Sequence, residues 1–171
     1  LPIWHTRHLI ARIRDYIEPQ TKNYQRTDLV HLLRDVARIV DYEKRKHGVT
    51  FHYAVPLVLF IRCDPVEISQ VVLNVYRNAI EAMQDTPTRV LSIAIATFAT
   101  EVVIQFTDTG VGIADSDAPL LGRTFFTTKD YGLGVGLAIS KAIAEKHGGT
   151  LAIENAESGG AKVTLRLPLN G

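Results

Sequence analysis

Much of what this sequence lacks excludes something. Its 171 residues include one cysteine, Cys63, so an internal disulfide framework is impossible and a reducing compartment is the expected setting. With 19 basic and 18 acidic residues, there is no charge excess to suit nucleic acid or an anionic membrane. The longest apolar run, VPLVLFI at 55–61, falls far short of the roughly 20 residues that span a bilayer. No direct membrane contact is expected, and a cytoplasmic location is, whether or not a longer parent protein is membrane-anchored. No signal peptide is visible. Because the chain opens on Leu1 rather than Met, it reads as a fragment, and missing targeting segments say little. Hydrophobic residues at 46% and charged residues at 22% are ordinary for one globular domain with an accessory segment.

Periodicity supplies the elements. Leu9, Ile10, Ile13 and Ile17 form one helical stripe over 5–17, either a tail packed on the domain or the end of a longer helix. The polar stretch 18–25 contains Pro19 and reads as a linker, so 1–25 is expected to be separate from a domain over 26–171. The spacing then predicts a helix across 26–48, capped by Thr27 or Asp28 and ended by Gly48. A strand is expected at 49–55. The helix at 64–83 has the strongest signature: Asp64 as N-cap, Pro65 at the first position, and Glu67 completing a capping-box pattern. Strands follow at 89–97 and 101–110, then an aperiodic stretch at 113–133. A helix ending at Gly148 or Gly149 and two strands, with a turn at Glu157–Gly160, complete the chain. Adjacent strand pairs break the alternation of a doubly wound fold. An α+β, two-layer sandwich is expected, with a mixed, mostly antiparallel sheet and helices on one face.

Three stretches carry chemistry. Gly132, Gly134 and Gly136 stand at alternate positions before a helix-like run, where a helix N-terminus can meet phosphate. They match neither the dinucleotide fingerprint, which needs G-x-G-x-x-G after a strand, nor a P-loop, since no Gly-Lys-Ser/Thr is present. Asn74, Asn78 and Glu81 share one helical face, extended by Glu67, Gln70 and Arg77. A solvated face would explain this stripe by itself, but asparagine is a mediocre helix former, and its amide oxygen suits Mg²⁺. Asp108, at the end of an apolar strand, would need a donor if buried, and the adenine amine is one. A tight turn capped by Asp108 is the alternative.

Taken together, NVYRNAIEA at 74–82, DTGVGI at 108–113, FFTTK at 125–129 and GLGVGLAIS at 132–140 resemble the N, G1, F and G2 boxes of the ATP-binding domain of sensor histidine kinases. That superfamily also contains gyrase B, MutL and the ninety-kilodalton heat-shock chaperones. With HGG at 147–149, the set is most similar to the nitrogen-regulator and oxygen-sensor subclass. The resemblance covers 64–168, and 5–63 resembles the end of a dimerisation helix, a linker and the start of the catalytic domain. It implies that Asn78 coordinates Mg²⁺ with Asn74 in support, that Asp108 accepts from adenine, and that Gly110 and Gly112 shape the adenine pocket. It also implies a lid over 114–133 hooked by Phe125 and Phe126, with Gly132, Gly134 and Gly136 as hinge. Thr128 and Leu137 fall within the matched boxes and are counted with the ATP-binding residues. Lys129 and Arg77 are candidate phosphate contacts, with solvated surface charge as the rival reading.

The implied cofactors are ATP and Mg²⁺. The implied partners are ATP or ADP, the dimerisation and phosphotransfer helices of the parent kinase, and a response-regulator receiver domain. ATPase branches of the superfamily place a glutamate where Asn74 stands, so slow hydrolysis is expected; Glu81 is a weak rival base. The family places its acceptor histidine before Glu or Asp, and His5, His8, His31, His47, His52 and His147 are all followed by other residues, so the resemblance implies an acceptor outside this chain. An ATPase, a protein-serine kinase or a non-catalytic nucleotide-binding module on the same fold remain the alternatives. Two departures stand out: Arg123 and Thr124 replace a Glu-Pro pair before the aromatic hooks, and Ala161 replaces a hydroxyl residue near adenine.

Overall fold

A computed structural model describes residues 23–114 and 136–169. The elements are β1 (Gln25–Asp28), α1 (Leu29–Ile39), α2 (Asp41–Lys46), β2 (Thr50–Ala54), β3 (Phe60–Cys63), α3 (Pro65–Ala82), β4 (Val90–Thr97), β5 (Glu101–Asp108), α4 (Gly136–Lys146), β6 (Thr150–Asn155) and β7 (Ala161–Pro168). Five strands form a mixed sheet in the order β2-β4-β5-β7-β6; β2 and β4 are parallel and the other neighbours antiparallel. β1 and β3 form a separate antiparallel ribbon.

The core lies between helices and sheet, as the alternation of apolar residues dictates. β4 turns Leu91 and Ile93 inward, β5 Val102, Ile104 and Phe106, and β7 Leu165 and Leu167; all are buried. The register sets Ile93 beside Phe106, and Ile104 beside Leu165. From the helices, α1 contributes Leu29, Leu32, Leu33 and Val36, and α3 contributes Ile68, Val71, Val72, Val75, Ala79 and Ile80. Tyr76 is fully buried: its ring meets Phe106 edge-on at 5.9 Å and its hydroxyl donates to the Leu33 carbonyl at 3.2 Å. That bond satisfies a polar group that would otherwise be costly inside the core. Among the described residues no helix is long and apolar enough to cross a membrane.

Three sequence expectations need correction. The helix expected over 26–48 is divided. Residues 25–28 pair with β3, α1 begins only at Leu29, and α2 follows after Val40. β1 therefore reaches into the expected linker at Gln25. Four polar residues carry no strand period; only their long-range pairing with 60–63 makes them a strand. β3 overlaps only the end of the apolar run 55–61 and continues through Arg62 and Cys63; within that run Leu57 is 93% exposed while Ile61 is buried. The third correction concerns the cap of α3. Asp64 accepts from the Val66 and Glu67 amides at 3.0 and 3.3 Å, as expected. Glu67 does not complete a capping box, because the Asp64 N–H donates to His147 Nε2 at 3.1 Å and Glu67 pairs with Lys146 at 2.6 Å.

Cys63 is buried at the end of β3, and burial pushes its thiol pKa up. Replacing Asp64 with alanine removes the acceptor for two amides at the start of α3. A loss of about 1–2 kcal/mol is expected in urea denaturation, with an unchanged m-value.

Candidate functional site

Helix α3 ties two pieces of chain together: the loop after Asp108 meets its C-terminal end, and the start of α4 meets its middle. Their joints are specific. α3 hides its apolar side in the core, so Asn74, Arg77, Asn78 and Glu81 lie on its outer side; Asn74 is half-buried, the other three exposed. The Asn74 amide donates to the Gly136 carbonyl at 3.1 Å and to Ser140 Oγ at 3.2 Å. Ser140, fully buried, donates in turn to the Gly136 carbonyl at 2.8 Å. Asn74 thus fastens the first turn of α4 to the middle of α3. Leu137, beside it, packs on the core.

Asp108 ends β5 almost fully buried, at 6% exposure. Its Oδ1 accepts from the Gly110 amide at 2.8 Å and the Ala161 amide at 3.1 Å. Burial raises the carboxyl pKa, and the two amides offset only part of that. Gly160 makes this closeness possible: it sits at φ 80°, and a Cβ there would lie 2.0 Å from the Asp108 carbonyl oxygen. At Gly110 a Cβ would lie 2.7 Å from the carbonyl oxygen of Ala82, the last residue of α3. The Val111 amide donates to that same oxygen at 3.2 Å. Beyond it, Asn155 binds Ile113 twice, accepting from its amide at 2.7 Å and donating to its carbonyl at 2.9 Å. Gly112, in the left-handed region between these two anchors, faces Asn155. The expected role of the loop glycines therefore has a second cause: they let the loop lie flat against α3 and β6.

The structure brings together Asn74, Gly136 and Leu137 on one side, and Asp108, Gly110 and Gly112 on the other, with α3 touching both groups. Asn78 stands on the exposed side of α3, one turn beyond Asn74. The Arg77 guanidinium leans toward α2, 3.8 Å from the Glu43 carboxylate. Phe125, Phe126, Thr128, Lys129, Gly132 and Gly134 lie outside the described residues. Sequence reasoning passed over Ser140, Asn155 and the Ala161 amide. Ser140 left a trace, a hydroxyl four residues after Gly136 in an otherwise apolar helical turn. Asn155 left none, because its partner is 42 positions away. Ala161 was singled out for its missing hydroxyl, yet its backbone amide is what orients Asp108.

An Asp108→Asn substitution tests the strain in this arrangement. A carboxyl whose folded pKa lies above its ordinary 3.8 contributes stability that is complete below that value and is lost as pH rises through the folded value. The asparagine oxygen can still accept from Gly110 and Ala161 without a buried charge. The variant should melt at or above the wild-type temperature at pH 7, and its margin should shrink below pH 4. Thermal melts across pH 3 to 8 check this.

The fold agrees with comparisons to known proteins. Residues 63–171 match the family described as histidine kinase-, DNA gyrase B-, and HSP90-like ATPase. The sensor protein FixL of Bradyrhizobium diazoefficiens is 35% identical over 94% of this chain. This chain covers 32% of that protein, about a third of the length of such relatives. Among solved structures, the nucleotide-free catalytic domain of histidine kinase ThkA superposes with a TM-score of 0.78 at 29% identity, covering 86% of this chain and 97% of that one. ThkA in complex with the response regulator protein TrrA shares the fold at TM-score 0.79 and 24% identity, covering 98% of this chain and 48% of that one. By the family match, by identity to a sensor protein and by its fold, this chain belongs to the histidine kinase-, gyrase B- and HSP90-like ATPase family.

Proposed function

We propose that this chain is the catalytic ATP-binding domain of a sensor histidine kinase, and that it delivers the γ-phosphoryl of ATP to a histidine outside these residues. The observation that carries the reading is Asp108. Its buried carboxylate has one oxygen held by two backbone amides, so the group is oriented before any ligand arrives. A preset acceptor of this kind suits the exocyclic amine of adenine, because nothing has to reorganise on binding. The triphosphate would then run along the outer side of α3 toward the start of α4.

Mg²⁺ fits the donor set. Asn78 offers a neutral amide oxygen on the exposed side of α3, and no group of three His, Cys, Asp or Glu side chains among the described residues forms a metal cage. A cation that takes one protein amide oxygen and completes its shell with water and phosphate oxygens suits a single asparagine in that place. When bound it would neutralise phosphate charge. Asn78 would hold it, and Asn74 would keep α3 and α4 at fixed separation.

Transfer is favoured over hydrolysis by Asn74. Its amide is committed as a donor to Gly136 and Ser140, and it has no carboxylate with which to activate water. Positioning and charge neutralisation suffice for transfer to an imidazole nucleophile. The downstream partner would be a response regulator, by extension from the ThkA–TrrA complex.

Calorimetric titration with ADP and a non-hydrolysable ATP analogue, with and without Mg²⁺, tests the reading. Asn78→Ala should cost about tenfold or more of the Mg²⁺-dependent affinity, about 1.4 kcal/mol, with an unchanged melting temperature. Absence of nucleotide binding by the folded wild-type chain would overturn the proposal. Asp108→Asn should lose adenine nucleotides by at least tenfold while staying folded, since its amide nitrogen replaces an acceptor with a donor. Supplied with helices from a related kinase, the chain should label their histidine from γ-labelled ATP, while its turnover of free ATP stays near background.

A further inference from the structure

Helix α4 is held at both ends by α3. At its start, Asn74 grips Gly136 and Ser140. At its other end, Lys146 pairs with Glu67 and His147 is fixed between α3 and α4. His147 is buried, at 5% exposure, and its protonation pattern follows from its partners. The Asp64 N–H can only donate, so Nε2 is the acceptor. Nδ1 therefore carries the proton and donates to the Ile143 carbonyl at 2.8 Å. One neutral ring thus joins the cap of α3 to the last turn of α4.

A third element closes on this ring. Tyr24, where the described chain enters β1, stacks on His147 with ring centroids 4.8 Å apart and planes inclined by 12°. Its hydroxyl donates to the Lys146 carbonyl at 2.9 Å, satisfying one of the carbonyls that a helix end leaves open. Burial and the nearby Glu67 carboxylate raise the Tyr24 hydroxyl pKa, which keeps it a donor. An opposing cost is present as well. Glu67 Oε2 is buried without a hydrogen-bond partner among the described residues, 3.9 Å from His147 Nδ1. Docking of Tyr24 gains a ring stack and a hydrogen bond beside a carboxylate oxygen that would be better solvated.

We propose that Tyr24 is a positioning residue: its docking on His147 seats α4, and through the seating of α4 it sets nucleotide affinity at Gly136 and Asn74. The inference rests on the nucleotide reading of that site. The eleven residues of α4 span about 16 Å, so Tyr24 acts at a distance from the nucleotide. By linkage the effect is reciprocal: a nucleotide that favours the seated helix tightens the dock.

ADP titrations of wild type, Tyr24→Phe, Tyr24→Leu and His147→Gln, with NMR of the His147 ring, test it. Loss of the stack in Tyr24→Leu and His147→Gln should weaken ADP at least fivefold. Tyr24→Phe, which keeps the stack, should stay within about twofold of wild type. Saturating ADP should shift the His147 ring signals in wild type and leave them unmoved in Tyr24→Leu. A merely structural role would lower melting temperatures without separating Phe from Leu in affinity or moving His147 with ADP. Equal affinities in all folded variants, or an ADP-insensitive His147, would overturn the inference while the nucleotide reading stands. Wild type that binds no ADP would sink both. Should Tyr24→Leu fail to fold, His147→Gln and the wild-type ring signals decide.

Discussion

Everything in this molecule depends on α3 having two unlike sides. Its apolar stripe from Ile68 to Ile80 is buried against sheet and α1, and each such side chain contributes about 1.5–3 kcal/mol when fully removed from water. That burial fixes the rotation of the helix about its axis. The polar side is then compelled to face outward, where the β5 end and the start of α4 meet it. The site is in this sense a by-product of core packing: Asn74 and Asn78 point where they do because Val71, Val75 and Ala79 point the other way.

The same helix explains why the site is so closely tied to backbone. Val111 and Gly110 lie on its last carbonyl, Gly136 on its middle, and His147 on its cap. Asp108, across from it, is held by two amides, one from its own loop and one from β7. A buried carboxylate is a poor choice for stability, and its raised pKa records that cost. The cost is understandable where an oriented acceptor is worth more than a comfortable one.

How much of this was legible beforehand follows from the range of each signal. α3 announced itself through local chemistry, since Asp64, Pro65 and the apolar spacing all lie within a few residues of what they control. The glycines of 108–113 also spoke locally, although their closest neighbours, Ala82 and Asn155, lie far along the chain. β1 stayed hidden because it has no period of its own, and β3 because its alternation, with Ile61 and Cys63 inward, lasts only four residues and starts inside a continuous apolar run. Glu67 misled for the opposite reason. Its spacing fitted a local capping box, and a distant histidine and lysine took both parts of the pattern. The family resemblance singles out Asn74, Asn78 and Asp108 as candidates, but Ser140 and Asn155, which hold their surroundings in place, needed coordinates.

Cys63 has a practical consequence of its own. The only thiol in the chain is sealed inside at the end of β3, next to Asp64 and the ring it binds. With its pKa raised by burial, it is shielded from alkylating reagents for as long as that corner stays shut. The rate at which such a reagent finds it is then a clock for opening of that corner. The protein carries a single-site reporter of its own local breathing, with no label added and no competing thiol to confuse the reading.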